Sequence, residues 1–439
     1  MACMHMHAAH YCSMLICIPH LRVIIMTTKT ATVINLVNTA LGAGMLALPF
    51  AFKSQGVVLA ISNILFCGML TVVGLLLQVY ISGFIAPGEA SFFKACKITY
   101  PSLAVVFDLA IALKCVGVCV SYLVIAGELM PLVTSYFGYE TTRFTWILLS
   151  MVIVTPFSFH KSLSSLKTIS IIALSSVVYL LVVVIFHFFI GDTISQRGEI
   201  SIWHAENAGS VISTTPIIVF AFTCAQNMFS SINEMQDRTV RGYRQVIISS
   251  IAISATVYVT IGLTGYLSFG NNVGDNIISM YAPRFTTTLG RFAIVLLVLF
   301  SYPLMFHPAR VSIENIVNSF MLHATTDEHS LLLAHEYHSQ KLHMTITVVA
   351  LILSFLLALT LKSLNLILSF VGATGATSVS FILPGIFAYT LASTDLENDL
   401  VTLNHRQKLL LRFVSFFLFI VGLILAIMAI SVNIYRISH

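Results

Sequence analysis

Long apolar runs separated by short polar ones fill almost the whole chain, and most are long enough to cross a bilayer, which takes roughly 20 helical residues. About eleven spans are predicted: Thr30–Phe52, Val57–Gly83, Ala104–Val133, Phe144–Phe159, Thr168–Ile190, Gly209–Ser231, Gln245–Phe269, Arg291–Phe306, Leu342–Leu361, Leu364–Tyr389 and Leu409–Ile434. Between them the chain returns to water: in 84–103, in 191–208, in the Asn-, Gly- and Pro-bearing 270–290, in a mainly polar loop over 311–340, and in the charged 391–408. Residues 1–29 are set apart as a cytosolic leader expected to be disordered, and residues 30–439 form the membrane domain. The apolar Tyr11–Met26 inside the leader is short for a span and is broken by Pro19, His20 and Arg22.

The first span breaks the pattern. Its middle carries Gly42 and Gly44 around Ala43, with Pro49 beyond them, and the side-chain amides of Asn35 and Asn38 share one helix face just before. A backbone group freed from its helix in hydrocarbon costs several kcal/mol unless protein or ligand satisfies it. The Gly-x-Gly break therefore has two readings: backbone presented to a ligand, or a notch for close helix packing. On the first, a bulky residue at Gly44 would obstruct the backbone and abolish function while leaving the amount of protein nearly intact.

Composition agrees with a membrane protein. Of 439 residues, 58% are hydrophobic and 9% charged, against about 25% charged in soluble domains. The net charge of +5 needs no nucleic acid to explain it, because basic residues concentrate on one face. With the N-terminus cytosolic, fourteen of the 22 Lys and Arg fall on the cytosolic side, seven on the other, and Lys114 within the membrane. The C-terminus is then extracellular or lumenal. The eight cysteines show no metal-ligand spacing with histidine, and no loop assigned to the outside holds one. No nucleophile elbow, P-loop or His-Glu-x-x-His motif is present, so no enzyme is expected.

The connectors after spans two and seven are both about 20 residues long and fall on opposite faces. That is the spacing of an inverted 5+5 repeat, whose substrate site lies at broken helices near the midplane. Span six has no central glycine; Pro216, Thr223, Gln226 and Asn227 are its only hints of a break.

Five stretches carry a family resemblance: VINLVNTALGAGMLALPFAF, SYLVIAGELMP, PIIVFAFTCAQNMFSSINEM, SYPLMFHPAR and LSFVGATGATSVSFILPGIF. In this order they resemble the signatures of the amino acid/auxin permease family, with sodium-coupled neutral amino acid transporters and vacuolar amino acid transporters as the nearest likenesses. The resemblance implies an all-α, LeuT-like core of ten helices in a 5+5 inverted repeat plus one more. It also implies a secondary active transporter of neutral amino acids, working by alternating access and coupled to Na⁺ or H⁺, without an enzyme cofactor. The membrane would be the plasma membrane or a vacuolar or lysosomal one. The rival from another class is an amino acid sensor on an internal membrane, which a short, weakly charged leader disfavours. A channel is disfavoured because no span shows a filter or a charge-lined stripe.

An amino acid zwitterion needs donors for its carboxylate and acceptors for its ammonium. The amides of Gly42, Ala43, Gly44 and Met45 are the candidate donors, with Phe220, Ala221, Phe222 and Thr223 offering carbonyls and a wall, and Tyr122 of the third span a further substrate-binding candidate. Phe220 and Phe222 could equally be packing aromatics. By the resemblance, Asn38, with its neighbour Thr39, and Ser301 match the Na⁺-holding positions of the sodium-coupled relatives, Ser standing where those commonly have Thr. An amide, a hydroxyl and free carbonyls are the oxygen donors a hard cation takes. Lys114, Glu128 and His307 are candidate proton or gating residues, since each ionisable group within a membrane is costly unless paired or wet. The GATGATS motif, Gly372–Ser378, reads first as close packing and second as a gating surface. Asp108 and His187 are expected near helix ends.

Overall fold

The computed structural model describes residues 27–159, 167–322, 331–361, 363–394 and 396–438. The leader expected over 1–29 falls almost wholly on 1–26, outside the described residues. In chain order the helices are α1 (Lys29–Ala40), α2 (Leu48–Gln55), α3 (Val57–Ser82), α4 (Phe92–Thr99), α5 (Ala104–Tyr136), α6 (Arg143–Ser158), α7 (Lys167–Ile190), α8 (Ala208–Ala221) and α9 (Ala225–Glu234). There follow α10 (Val240–Phe269), α11 (Ile277–Met280), α12 (Phe285–Leu322), α13 (Leu331–Thr360), α14 (Leu364–Val371), α15 (Leu383–Leu391) and α16 (His405–Ser438). Among the described residues, nine helices are long and apolar enough to span, and the α1–α2 pair makes a tenth if its 48° bend lies within one span. The predicted fourth span is helical but short, at 16 residues.

Local chemistry explains the helix ends. Thr28, Ser91, Thr142, Asn207, Thr239 and Ser363 each accept a backbone N–H of the helix they open. Gly56, at φ 76°, takes the left-handed conformation needed to end α2 and start α3 without an intervening loop. The connectors after spans two and seven each carry a short helix, α4 and α11.

Two predictions need correction. The eighth span does not end at Phe306, nor is 311–340 a loop: α12 runs on to Leu322, and α13 is already helical from Leu331. Pro303 and Pro308 lie inside α12. Neighbouring helices and local adjustment accommodate such prolines at membrane depth, while Arg310 and Glu314, one turn apart at 3.8 Å, bridge the segment beyond. The tenth span is not one regular helix, because between α14 and α15 the backbone widens into two π-helical turns, Gly372–Ala376 and Ser378–Ile382.

Helices α5 and α12 form the most extensive pairing, and α10 packs on α3, on both halves of span one and on α7. The spans 208–234 and 364–391 are the most enclosed, with 72% of their apolar windows buried, against 28% for α16 at the rim. Small residues make the enclosure tight. A Cβ at Gly372 would come 2.0 Å from the Pro216 carbonyl oxygen, and one at Gly375 would come 2.2 Å from the Lys114 Cβ. In span seven, Gly262 and Gly265 make room for Phe52 and Pro49 of α2. The glycines of GATGATS therefore serve close packing.

Because the Gly372 seam has a backbone oxygen on its far side, nothing flexible can give way. Gly372→Ala should lower the melting temperature of the detergent-solubilised protein, corresponding to about 1–3 kcal/mol of overpacking. An unchanged melting temperature would show that the seam is looser than this.

Candidate functional site

Two helix breaks face each other inside the bundle. In the first span α1 stops at Ala40, a five-residue 3-10 segment spans Ala43–Ala47, and α2 follows. Leu41 and Gly42 turn the chain, the Leu41 N–H donating to the Val37 carbonyl and the Gly42 N–H to the Ala40 carbonyl, both at 2.8 Å. The amides of Ala43 and Gly44 open the 3-10 segment, where the first N–H groups have no partner within the helix. In the sixth span α8 ends at Ala221, residues 222–224 leave the helix, and α9 restarts at Ala225. The hints read from Thr223, Gln226 and Asn227 thus mark a real break.

The two glycines of the first break do different work. A Cβ at Gly44 would lie 2.8 Å from the Ala221 Cα and 3.1 Å from a Phe220 ring carbon, so Gly44 is the contact point between the two broken spans. That overturns the expectation that a bulky residue there would spare the fold: the space is filled by backbone. A Cβ at Gly42 would meet only the Tyr122 hydroxyl, at an ordinary 3.8 Å. Gly42 and Tyr122 therefore border the open side of the break.

The other predicted residues divide as clearly. Phe220 is 8% exposed beside Gly44, whereas Phe222 is fully buried, edge-on to Tyr258 with ring centroids 4.9 Å apart. Phe222 is thereby placed in the packing behind the break. Met45 is fully buried, and the Thr223 hydroxyl donates back to the Val219 carbonyl at 3.1 Å.

Asn35, which shares a helix face with Asn38, is exposed, while the side-chain oxygen of the candidate cation ligand Asn38 is buried without a partner. The Thr39 hydroxyl is already engaged: it donates to the Asn35 carbonyl at 2.8 Å and accepts from the Asn227 amide at 3.0 Å. Ser301 is half-buried on α12, and among the described residues no hydrogen bond joins it to Asn38. One buried side-chain oxygen, that of Asn38, is thus left of the kind a hard cation takes.

Lys114 lies buried in the first half of α5, and its amine donates to the side-chain oxygen of Gln226 on the first turn of α9. The Gln226 amide nitrogen lies 3.9 Å from the Met305 sulfur on α12, so one neutral amide links spans three, six and eight. Glu128 accepts from Asn276 at 3.4 Å at the far end of α5, next to Asp275, which accepts from Ser363 and Asn365 at 2.7 Å each. His307 is half-buried between Pro303 and Pro308. These three titratable groups are not gathered into one cluster. Asp108 is buried and accepts from Asn315 at 3.4 Å, and His187 bonds Asp192 at 2.9 Å.

Sequence reading missed Tyr258. This side chain of α10 is fully buried, and its hydroxyl lies 2.6 Å from the Ala40 carbonyl oxygen and 2.5 Å from that of Ala221. Those carbonyls are the last of α1 and of α8. In the sequence Tyr258 is one of 15 tyrosines inside an apolar run, and no local pattern marks it.

Each face has its own tie. At the Lys29 end, Thr27 pairs with the chain after α9: its N–H donates to Glu234 at 2.7 Å, and its carbonyl accepts from Gln236 at 3.0 Å. Lys29 meets the Asp237 carboxylate at 2.6 Å. At the Gln55 end, the Gln55 amide donates to Thr214 at 3.0 Å, and Asn63 donates to Gln55 at 3.1 Å and to Thr215 at 2.8 Å.

A family model described as transmembrane amino acid transporter protein matches residues 26–434. The chain is 39% identical over 419 residues to vacuolar amino acid transporter 5 of Schizosaccharomyces pombe, covering 93% of this chain and 95% of that protein. It is 36% identical to vacuolar amino acid transporter 6 of Saccharomyces cerevisiae, covering 90% and 96%. It is 26% identical to sodium-coupled neutral amino acid transporter 7 of Danio rerio, covering 82% and 78%. Among solved structures, that of MhsT in complex with L-phenylalanine superposes with a TM-score of 0.59 over 92% of this chain and 99% of that one. At 11% identity that likeness is one of fold, and the fold is the LeuT-type bundle that the sequence implied.

Two outcomes follow from this geometry. Gly44→Ala should reduce the yield of folded protein, whereas Gly42→Ala should fold normally and weaken amino acid uptake; equal folded yields would undo the division of labour. The Asp237 carboxyl is held down to about 2, first by the Lys29 hydrogen bond and then by Thr239. Its contribution is fully present above the ordinary carboxylate value of about 4 and is lost only as pH falls through about 2. Hydrogen-exchange protection at the Gln236 amide, corrected for intrinsic rate, should therefore match at pH values of about 5 and 7.5, and a loss at the lower value would contradict it.

Proposed function

We propose that this chain, which belongs to the family of transmembrane amino acid transporter proteins, is a secondary active carrier of neutral amino acids. It alternates access around the paired breaks of its first and sixth spans. The observation that carries this reading is the meeting of two interrupted helices in the enclosed centre of the bundle, with Gly42 and Tyr122 bordering the free side. The substrate carboxylate is received by the amides of Ala43 and Gly44, at the positive end of the half-helix that continues into α2. The ammonium is received by carbonyls next to those that end α1 and α8, the arrangement that suits a cation at half-helix C-termini. Phe220 and Tyr122 flank the side chain. The ties at the Lys29 and Gln55 ends supply two locks, one per face, of the kind that alternating access opens in turn.

Relatives named as vacuolar amino acid transporters support a vacuolar membrane here, with the N-terminus cytosolic by the distribution of basic residues. The coupling ion is Na⁺ or H⁺. Asn38, with its unpaired buried oxygen, is the residue to hold Na⁺, with the Ser301 hydroxyl as its second oxygen donor. Lys114, Glu128 and His307 are the groups to carry or sense a proton, and Lys114 is the best placed, since its partner Gln226 adjoins the sixth-span break.

The test is flux of a labelled amino acid mixture into proteoliposomes under an imposed Na⁺ gradient or an imposed H⁺ gradient. Uptake driven by either supports a carrier. If Na⁺ drives it, Asn38→Ala and Ser301→Ala should raise the Na⁺ concentration needed for half-maximal rate, and an unchanged dependence removes both residues from the cation site. Binding with no flux under either gradient would overturn the carrier reading in favour of a sensor.

A further inference from the structure

Where a helix stops inside the bundle, its last carbonyls lose their intrahelical donors and carry the negative end of the helix dipole. Two such ends, at Ala40 and Ala221, point at one place, and the Tyr258 hydroxyl stands between them at 2.6 and 2.5 Å. The group holding it comes from a third element, α10, and its ring is fixed edge-on by Phe222. A phenol has one proton to donate, so the two carbonyls share it.

We propose that Tyr258 is a positioning residue: its hydroxyl pins the carbonyl ends of α1 and α8 to each other and so sets how the neighbouring carbonyls receive the substrate's ammonium group. The consequence for substrate recognition rests on the transport reading above, while the pinning itself does not. Three features favour positioning over simple packing. The hydroxyl, and not only the ring, contacts both ends. Gly44 brings the same two spans into contact through backbone and ring atoms, with a Cβ there only 2.8 Å from the Ala221 Cα, so two independent ties flank one junction. The Ala40 carbonyl also accepts the Gly42 N–H at 2.8 Å, which connects the phenol to the residue that borders Tyr122.

The experiment uses the full chain in nanodiscs with two readouts. The first needs no substrate: the distance distribution between spin labels at exposed positions Ile34 on α1 and Ala208 on α8, in wild type and Tyr258→Phe. The second is the concentration dependence of uptake for a mixture of labelled neutral amino acids in proteoliposomes. Tyr266→Phe is the control, because it removes a hydroxyl two turns along the same helix that bonds Ser201 and Asn271 instead. Tyr258→Phe should broaden or shift the distance distribution and raise the half-saturating concentration about tenfold, with the maximal rate per folded protein within about twofold. Tyr266→Phe should do neither.

If Tyr258→Phe yields too little folded protein, 3-fluorotyrosine at position 258 keeps the hydroxyl and changes its strength as a donor, and the half-saturating concentration should still move. Unchanged distances in Tyr258→Phe overturn the pinning. Changed distances with an unchanged half-saturating concentration overturn its role in recognition. A wild type that takes up no amino acid defeats the transport reading alone, because the distance arm still decides the pinning.

Discussion

A carbonyl that leaves its helix inside a membrane must find a donor in the protein or in a ligand, since lipid tails offer none. This constraint organises the centre of the molecule. The first and sixth spans both give up helical bonding at the same depth, and each break needs partners from outside its own span. At Ala40 and Ala221 the donor is one phenol from α10. Around it the other freed groups are mostly paired: Thr223 turns back on Val219, Thr39 bridges Asn35 and Asn227, and Cys224 N–H bonds the Phe222 carbonyl at 2.9 Å. What stays open is the side of the first break bordered by Gly42 and Tyr122, with the unpaired oxygen of Asn38 nearby in the chain.

Close approach of backbones is the second requirement, and glycine supplies it at particular contacts. Gly44 lets span one touch span six, Gly372 lets span ten touch span six, and Gly375 lets span ten touch span three beside Lys114. In lipid, such contacts draw on packing, because apolar side chains gain little by leaving lipid tails for one another. The π-helical turns at Gly372–Ala376 and Ser378–Ile382 widen the tenth span where these close contacts fall. The same contacts place Lys114 against Gln226, tying an intramembrane cation to the break in span six.

The division between spans and connectors was legible because burial in lipid writes itself into composition: an apolar run of a given length has one use. The break at Gly42–Gly44 was legible for the same reason, since glycine and amides are out of place there. The break in span six was only hinted at, because Phe222–Cys224 looks like any apolar stretch, and what holds it open is packing against Tyr258. Polarity also misled at 311–340, where the end of α12 and the start of α13 read as loop. Pro303 and Pro308 lie inside α12, where neighbouring helices accommodate them.

The sequence by itself determined the membrane class, the helical architecture, the family and the position of the first break, because these depend on local composition and order. It also put Gly42, Phe220 and Tyr122 among the candidates. Only the tertiary structure decided which side each candidate faces: Gly44 and Phe222 towards packing, Gly42 and Tyr122 towards the open side, Thr39 into a hydrogen-bonded bridge. It alone showed that Tyr258 joins both breaks. The physical reason is that a hydrogen bond between residues 218 positions apart leaves no trace in either local sequence, and exists only once three helices have met.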